Sequence, residues 1–277
     1  MIFCLIVIVG LFVYVKLSDK KISSFKIIFF NIGQGDSALI KFDDGEKMLI
    51  DCGSDKKILS KLGLYLPFYD RTIDYLLISH FDLDHYGGCV DVLKRYDVKN
   101  IITNGDEKGY DSYWLAWDEV SRAENADIIP ITTSRSWVIA SSTLDFFNPD
   151  ANLVFANAND KTDSNNQSIV LKLSHASTTV LFAGDMETPL ENALLLQFCS
   201  STPVDCPALK VNVLKIGHHG SDSSSGEKFL SAVNPNKAVV SVGKNSFGHP
   251  SLRVLRKLER IGADILRTDE TGDVILP

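Results

Sequence analysis

This sequence has no surplus of positive charge. Its 28 Lys and Arg stand against 35 Asp and Glu, a formal net charge of −7, and even residues 221–277 hold only 8 Lys/Arg against 7 Asp/Glu. A strong, general nucleic-acid binder usually shows a basic stripe, so the charge argues against that class, and tight sequence-specific DNA binding is not expected. If DNA is a substrate, metal ions and a few local cations must attract its phosphates. Five cysteines, at positions 4, 52, 89, 199 and 206, include no C-x-x-C pair. That spacing excludes a cysteine-based zinc or redox motif. Cys52 and Cys89 read as small buried residues rather than ligands. Cys199 and Cys206 could close a small loop in an oxidising compartment, but reduced thiols fit equally well, so cysteine usage leaves the compartment open.

Long apolar runs are also scarce. Only residues 1–15 are apolar throughout, and Lys16, Lys20, Lys21 and Lys26 follow. As a helix, that run reaches about 22 Å, short of the roughly 30 Å hydrocarbon core of a bilayer. A basic leading region and a small-residue cleavage site are both missing, so cleavage as a secretory signal is not expected. Three readings survive: a short anchor with snorkelling lysines, the stump of a longer membrane chain, and a buried strand or helix. A membrane anchor over residues 1–17, with a linker over 18–25, is the expectation. No repeat or low-complexity stretch divides residues 26–277. With 45% hydrophobic and 23% charged residues, this length can bury one full core as a single α/β domain.

Apolar segments alternate with helical patterns, and each polar cluster falls at the end of an apolar run. Ile27–Asn31, Ala38–Phe42 and Met48–Asp51 read as strands, with Asp43-Asp44-Gly45 a hairpin turn. Helical patterns cover Ile58–Leu66, Gly88–Tyr96 and Tyr113–Glu124, and strand patterns cover Asp127–Thr132, Trp137–Ala140 and Leu144–Phe147. Asn152–Gln167 reads as a long loop, functional or mobile at that length. Strands Ser168–Ser174, Thr179–Ala183, Val211–Ile216 and Ala238–Val242 follow, with helices near Gly226–Val233 and Leu252–Ile261. Ala263–Leu276 reads as a closing hairpin around Thr271-Gly272.

The richest cluster follows the run Ile73–Ile78: His80, Asp82, Asp84 and His85, four potential ligands within six residues, with Gly87 and Gly88 behind them. A solvated acidic turn with incidental histidines is the bland alternative. Imidazole and carboxylate together suit zinc, manganese or iron, and the crowding suits two ions rather than one.

This block resembles the HxHxDH signature of the metallo-β-lactamase superfamily, with Asp82 where the second histidine usually stands. Asn31–Ser37 resembles the "VGQGDA" opening, and Leu49–Gly53 the "LIDtG" strand end. Leu181–Glu187 resembles "LLTGDxE", Leu214–Ser221 "LKxxHHGS", and Asn245–Pro250 "NxyGHP". Together, from about Lys26 to the C-terminus, they are similar to the metallo-hydrolase domain of ComEC-type DNA-internalisation competence proteins. Phosphorylcholine esterases share parts of the pattern. The resemblance implies an αββα sandwich with a metal site along one edge of its two sheets.

It also assigns roles. His80, Asp82, Asp84, His85, Asp185 and His219 would hold two divalent ions, zinc or manganese, with Asp185 bridging; the competing reading of Asp185 is a helix N-cap. His218 would act as transition-state donor or acid, though the two adjacent histidines could exchange roles, and both could be mere surface residues. Asn166 stands where a third metal histidine often sits. An amide is a poor metal donor, so Asn165, Asn166 and Ser168 more plausibly hydrogen-bond substrate or loop. Asn166-Gln167-Ser168 also fits a glycosylation acceptor, a weak signal without a secretory context. Asp36 and Asp51 would orient ligands without touching metal. Lys215 could neutralise phosphate charge, or be plain solvated surface, and His249 would contact substrate.

The carboxylate-rich set favours harder cations, so manganese rivals zinc. Such ions lower the pKa of bound water to about 7 and supply hydrolysis at neutral pH. The expected function is therefore a metal-dependent phosphodiesterase without organic cofactor, most simply a nuclease on single-stranded DNA working beside a DNA-translocation channel. Alternatives are hydrolysis of a small phosphoester, a lactone or a β-lactam, and a membrane-tethered module with a structural metal. The lysines after the apolar run favour a cytoplasmic domain; the resemblance implies an extracytoplasmic one, where incoming DNA is met.

Overall fold

The computed structural model describes residues 24–106, 112–153, 164–199 and 206–277. Strands β1 (Lys26–Phe29), β2 (Ala38–Lys41), β3 (Lys47–Ile50), β4 (Thr72–Leu77), β5 (Asp97–Thr103), β6 (Asp127–Pro130) and β14 (Val274–Leu276) form one seven-stranded sheet, ordered β14-β1-β2-β3-β4-β5-β6. The second sheet, also of seven strands, contains β7 (Arg135–Ile139), β8 (Ser142–Asn148), β9 (Val170–His175), β10 (Thr178–Phe182), β11 (Val213–Lys215), β12 (Lys237–Val240) and β13 (Asp264–Arg267), ordered β13-β12-β11-β10-β9-β8-β7.

Alternation along the strands explains why the two sheets stack. Ile27, Phe29, Ile40 and Met48 face inward and meet Leu144, Phe146, Leu171, Leu173 and Phe182 of the other sheet in one buried cluster. Their neighbours Leu39, Leu49, Leu76 and Ile101 point outward, under α1 (Lys57–Tyr65), α2 (Leu83–Tyr86), α3 (Cys89–Leu93) and α4 (Ser112–Ala123). On the opposite side, Leu181, Leu214 and Val240 lie beneath α5 (Thr188–Phe198), α6 (Glu227–Val233) and α7 (Leu252–Arg260). Strands covered on both faces need near-continuous apolar sequence, and these have it. The architecture is the expected αββα sandwich.

The parallel strands position the candidate site. In the first sheet β3 runs parallel to β4; in the second, β10, β11 and β12 are mutually parallel. All strands of such a set release their chains at one edge, so Asp51, the His80 loop, Asp185, the His218 loop and the Asn245–His249 loop emerge there. Loops held by a rigid sheet are where positioned chemistry is found.

Two sequence expectations are corrected. The C-terminal stretch is not a hairpin: β13 pairs with β12 and β14 with β1, in different sheets. A one-turn helix, α8 (Thr268–Thr271), carries the chain between them, and the buried Thr268 hydroxyl accepts from Val242 N at 3.0 Å to pin the crossover. Turn chemistry at Thr271-Gly272 reads alike for a hairpin and for a crossing. Cys52 and Cys89, read as isolated buried residues, are bonded to each other across 37 residues. Cys199 and Cys206 are also bonded. The expected anchor (residues 1–17) and its linker up to residue 23 lie outside the described residues, as does most of the long loop before Asn165. Among the described residues no helix is long and apolar enough to cross a membrane.

Candidate metal centre

Asp51 is the hub of the site. The β3 strand ends in it at a positive φ of 54°, a conformation costly for a non-glycine residue and typical of functional turns. It is 1% exposed. One carboxylate oxygen accepts from Ser79 N at 2.7 Å; the other accepts from Ser79 Oγ at 2.7 Å and from His85 Nδ1 at 2.9 Å. With its hydroxyl proton given to Asp51, Ser79 can accept from His80 Nδ1, 3.1 Å away. Across the site, His219 Nδ1 donates to the Ser241 carbonyl at 2.9 Å, with Asp36 at 3.3 Å. Three imidazoles thus have Nδ1 engaged behind them, the arrangement that frees Nε2 to ligate a metal.

Those three Nε2 atoms, of His80, His85 and His219, are buried and have no hydrogen-bond partner, and neither does Asp185 Oδ1. Buried polar atoms are rarely left unsatisfied, and four converging here call for a ligand. His85 Nε2 lies 3.3 Å from Asp185 Oδ1, and His219 Nε2 lies 3.4 Å from Asp185 Oδ2 and 3.2 Å from Asp84 Oδ2. Donor atoms of His80, His85 and Asp185 lie within 4.8 Å of one another, as do those of Asp84, His85 and His219. These overlapping triads share His85, and Asp185 touches both. Asp82 stands at the mouth, its Oδ2 3.7 Å from His80 Nε2, with Oδ1 accepting from Ser164 Oγ at 2.8 Å.

Charge makes the same demand. Five carboxylates (Asp36, Asp51, Asp82, Asp84, Asp185) face one ammonium, Lys215. That leaves a surplus of four negative charges, which two divalent cations would match. Without cations, protons fill part of the gap. Burial disfavours charge on His85, but the carboxylates of Asp185 and Asp51 outweigh it and hold its pKa well above the ordinary value. His219 is raised in the same way, chiefly by Asp185. Burial would raise Asp185, yet His219 and His85 bring it well below the usual carboxylate range.

The other expected site residues divide into two groups. Lys215, expected to face phosphate, is 2% exposed. It is the last residue of β11 and points inward, ion-paired with Asp36 and donating to Gly184 O at 3.2 Å, so it braces the site from behind. Asn166 is buried too; its side-chain oxygen accepts from Glu187 N at 3.1 Å. Ser168 Oγ accepts from Asp185 N at 2.9 Å and lies 3.3 Å from His80 Nδ1. Both hold ligand-bearing backbone. His218 and His249 instead sit at the mouth. His218 and His219 both adopt positive φ (47° and 52°), and their rings meet edge to face at 6.2 Å with both Nε2 atoms turned toward Asp185 Oδ2. His218 donates from Nδ1 to Glu187 at 2.9 Å, with Nε2 4.0 Å from Asp185. The His249 ring is 5.3 Å from that of His218, and burial, with His218 beside it, pushes the His249 pKa down.

Several residues that build this centre carried no signal of their own. Glu187 orients His218. Asn245 accepts at Oδ1 from the backbone of Phe247, Gly248 and His249 and donates from Nδ2 to Gly243 and His249 carbonyls, which shapes the whole His249 loop. Gly35 packs so tightly that a Cβ there would lie 2.2 Å from the Asp84 carbonyl oxygen. Each lies inside a recognisable motif; its role appears only when the loops meet.

The sandwich and its donor set define a class: an αββα protein with a His/Asp metal centre at the common edge of its sheets. The chain belongs to the metallo-beta-lactamase superfamily, whose family model matches residues 31–244. It is 29% identical over 289 residues to ComE operon protein 3 of Bacillus subtilis, covering 98% of this chain and 35% of that protein. To competence protein ComA of Neisseria gonorrhoeae it is 28% identical, covering 89% of this chain and 31% of the relative. The chain thus spans about a third of the length of these relatives. Among solved structures, the metallo-beta-lactamase fold protein YhfI of Bacillus subtilis matches 91% of this chain and 99% of its own at a TM-score of 0.56 and 11% identity, a likeness of fold alone.

Proposed function

We propose that this chain is a dinuclear metal-dependent phosphodiesterase, a nuclease acting on single-stranded DNA during uptake. The observation that carries it is the convergence of three buried, unpartnered imidazole nitrogens with Asp185 beside an open mouth. A structural metal site closes its coordination with protein ligands; here the Asp82 and Asp84 side chains stay about a third exposed, with His218 23% exposed beside them. When bound, zinc or manganese would supply an acidified water and Lewis acidity toward phosphate. His80, Asp82, Asp185 and His85, Asp84, His219 would hold the pair, and Asp36 and Asp51 would orient them. His218, fixed by Glu187, is placed to hold or deliver a proton at the leaving oxygen through Nε2. His249, whose pKa burial and the neighbouring His218 push down, would contact the phosphate.

The name of competence protein ComA supports a part in competence, for which DNA would be the substrate and a translocation channel the partner. The two disulfides support an extracytoplasmic catalytic domain, because such bonds persist in oxidising compartments. Residues 1–17 would then be its membrane anchor.

The test compares a fluorescent single-stranded oligonucleotide, its duplex, a bis-aryl phosphate and a β-lactam as substrates of the full chain. The oligonucleotide should be cleaved only with added manganese or zinc, and faster than the duplex. Preference for the bis-aryl phosphate would make this a small-phosphoester hydrolase. No turnover of any substrate would leave a binding module.

A further inference from the structure

Beside the His249 loop lies a groove of about 820 Å3 lined by Gly248, Ser251, Arg253, Arg256 and Arg260, with Asp222 opposite. It is joined to the metal-centre loop: Ser251 N donates to the carbonyl of Gly220, the residue after His219, at 2.8 Å. We propose that this groove is a track for one polynucleotide strand leading out of the metal centre, with Arg253, Arg256 and Arg260 holding successive phosphates and Phe247 stacking on a base. The inference rests on the phosphodiesterase reading and deepens it, because a small phosphoester would leave the track unused.

Spacing comes first. The three arginines recur at i, i+3 and i+7 on α7, whose opposite face buries Val254 and Leu258, so they form one solvent-facing row. At 1.5 Å per residue the row is about 10 Å long, about three 3.4 Å axial rises of one stacked strand.

Availability comes second. The Arg256 guanidinium makes no ion pair or hydrogen bond among the described residues. Arg253 meets Asp222 only at 3.7 Å, with side chains 72% and 50% exposed, and Arg260 meets Glu227 with both side chains more than 60% exposed. Exposed pairs of this kind contribute little and exchange readily for phosphate. Three guanidiniums against Asp222, Glu259 and the Glu227 that pairs with Arg260 leave the groove close to neutral, on a chain whose total charge is −7.

The third observation is an aromatic platform. Phe247, the residue before the groove-lining Gly248, is 73% exposed, and Leu252 in the lining is 70% exposed. The Phe247 ring centroid lies 5.7 Å from that of His249, so a base stacked on it would place its phosphate beside His249 and His218. Stacking plus a short cationic row binds single strands without reading sequence, as the absence of a general basic stripe requires.

The test is stopped-flow anisotropy of a labelled twelve-nucleotide oligothymidine on the manganese-loaded full chain, read before strand cleavage, over a salt series. Each phosphate contact to a single strand contributes about 0.7 to the log–log salt slope. Arg256→Gln should lower the slope by about 0.7, and the triple variant Arg253→Gln/Arg256→Gln/Arg260→Gln by about 2. Phe247→Ala should weaken binding roughly tenfold with the slope unchanged. Lys237→Gln, an exposed cation at the far end of β12, serves as control and should change neither. A wild type that cleaves DNA while the arginine variants keep its slope and affinity overturns the track and leaves the phosphodiesterase reading standing. A wild type that neither binds nor cleaves the oligonucleotide overturns both.

Discussion

Asp51 shows how one buried carboxylate can set the rings of the candidate site. Its three accepted hydrogen bonds set the ring of His85 directly and that of His80 through Ser79. In Asp51→Asn an amide NH2 must replace one acceptor, so a donor faces either Ser79 or His85 Nδ1. Competition with a fluorescent chelator should find metal affinity reduced between about tenfold and a hundredfold, the usual effect of losing such an outer partner; unchanged affinity would show that the rings are held by packing alone. At this scale the sequence was legible wherever residue type and spacing carry the chemistry, as with His80, Asp84 and His85. It was not legible where orientation decides. Lys215 ends an apolar strand, and nothing in the string says whether its ammonium turns out to phosphate or in to Asp36. Asn166 braces the Glu187 backbone, Glu187 holds the His218 ring and Asn245 shapes its own loop, roles that only the assembled loops display.

At the scale of elements, α5 and α6 meet through a buried carboxylate outside the metal centre. Glu191 of α5 is 2% exposed; its two oxygens accept from Ser225 N at 2.5 Å and Gly226 N at 2.8 Å, capping the start of α6, while Lys257 of α7 donates to Ser225 O at 3.0 Å. Burial outweighs these donors and pushes the Glu191 carboxyl up to about 7, from an ordinary 4.5. With the folded value above the unfolded one, the contribution of Glu191 is fully present below about 4.5 and is lost as pH rises through about 7. Compared by thermal or denaturant unfolding with metal saturating, wild type should lose roughly 3 kcal/mol more than Glu191→Gln between pH 5 and pH 8. Parallel pH profiles would contradict the shift. Strands and helices were the most legible part of the chain, because apolar runs and helical periodicity mark them directly. The closing segment was misread for an informative reason: a hairpin and a crossover between sheets need similar turn residues, and only pairing partners distinguish them.

At the scale of the molecule, two sheets contribute half-sites that neither could complete alone. The first brings Asp51 and the His80–His85 loop, the second Asp185 and His219, and the sandwich closes them into one centre with its negative charges unbalanced. The Cys52–Cys89 bond fastens the Asp51 turn to the helix after His85, tying together the first sheet's contribution. The order of the motifs along the chain allowed this convergence to be expected, while the pairing of the cysteines, 37 residues apart, left no trace in spacing. The same charge surplus means that protons and metal compete for His85 and His219, so metal should be released on acidification. The most direct test of the central claim is elemental analysis of the full chain purified without chelator. Two equivalents of zinc, manganese or a similar divalent ion should be found per chain, falling to one or none in Asp185→Asn, whose carboxylate touches both triads. A wild type without bound metal, or an Asp185→Asn variant that retains both equivalents, would contradict it.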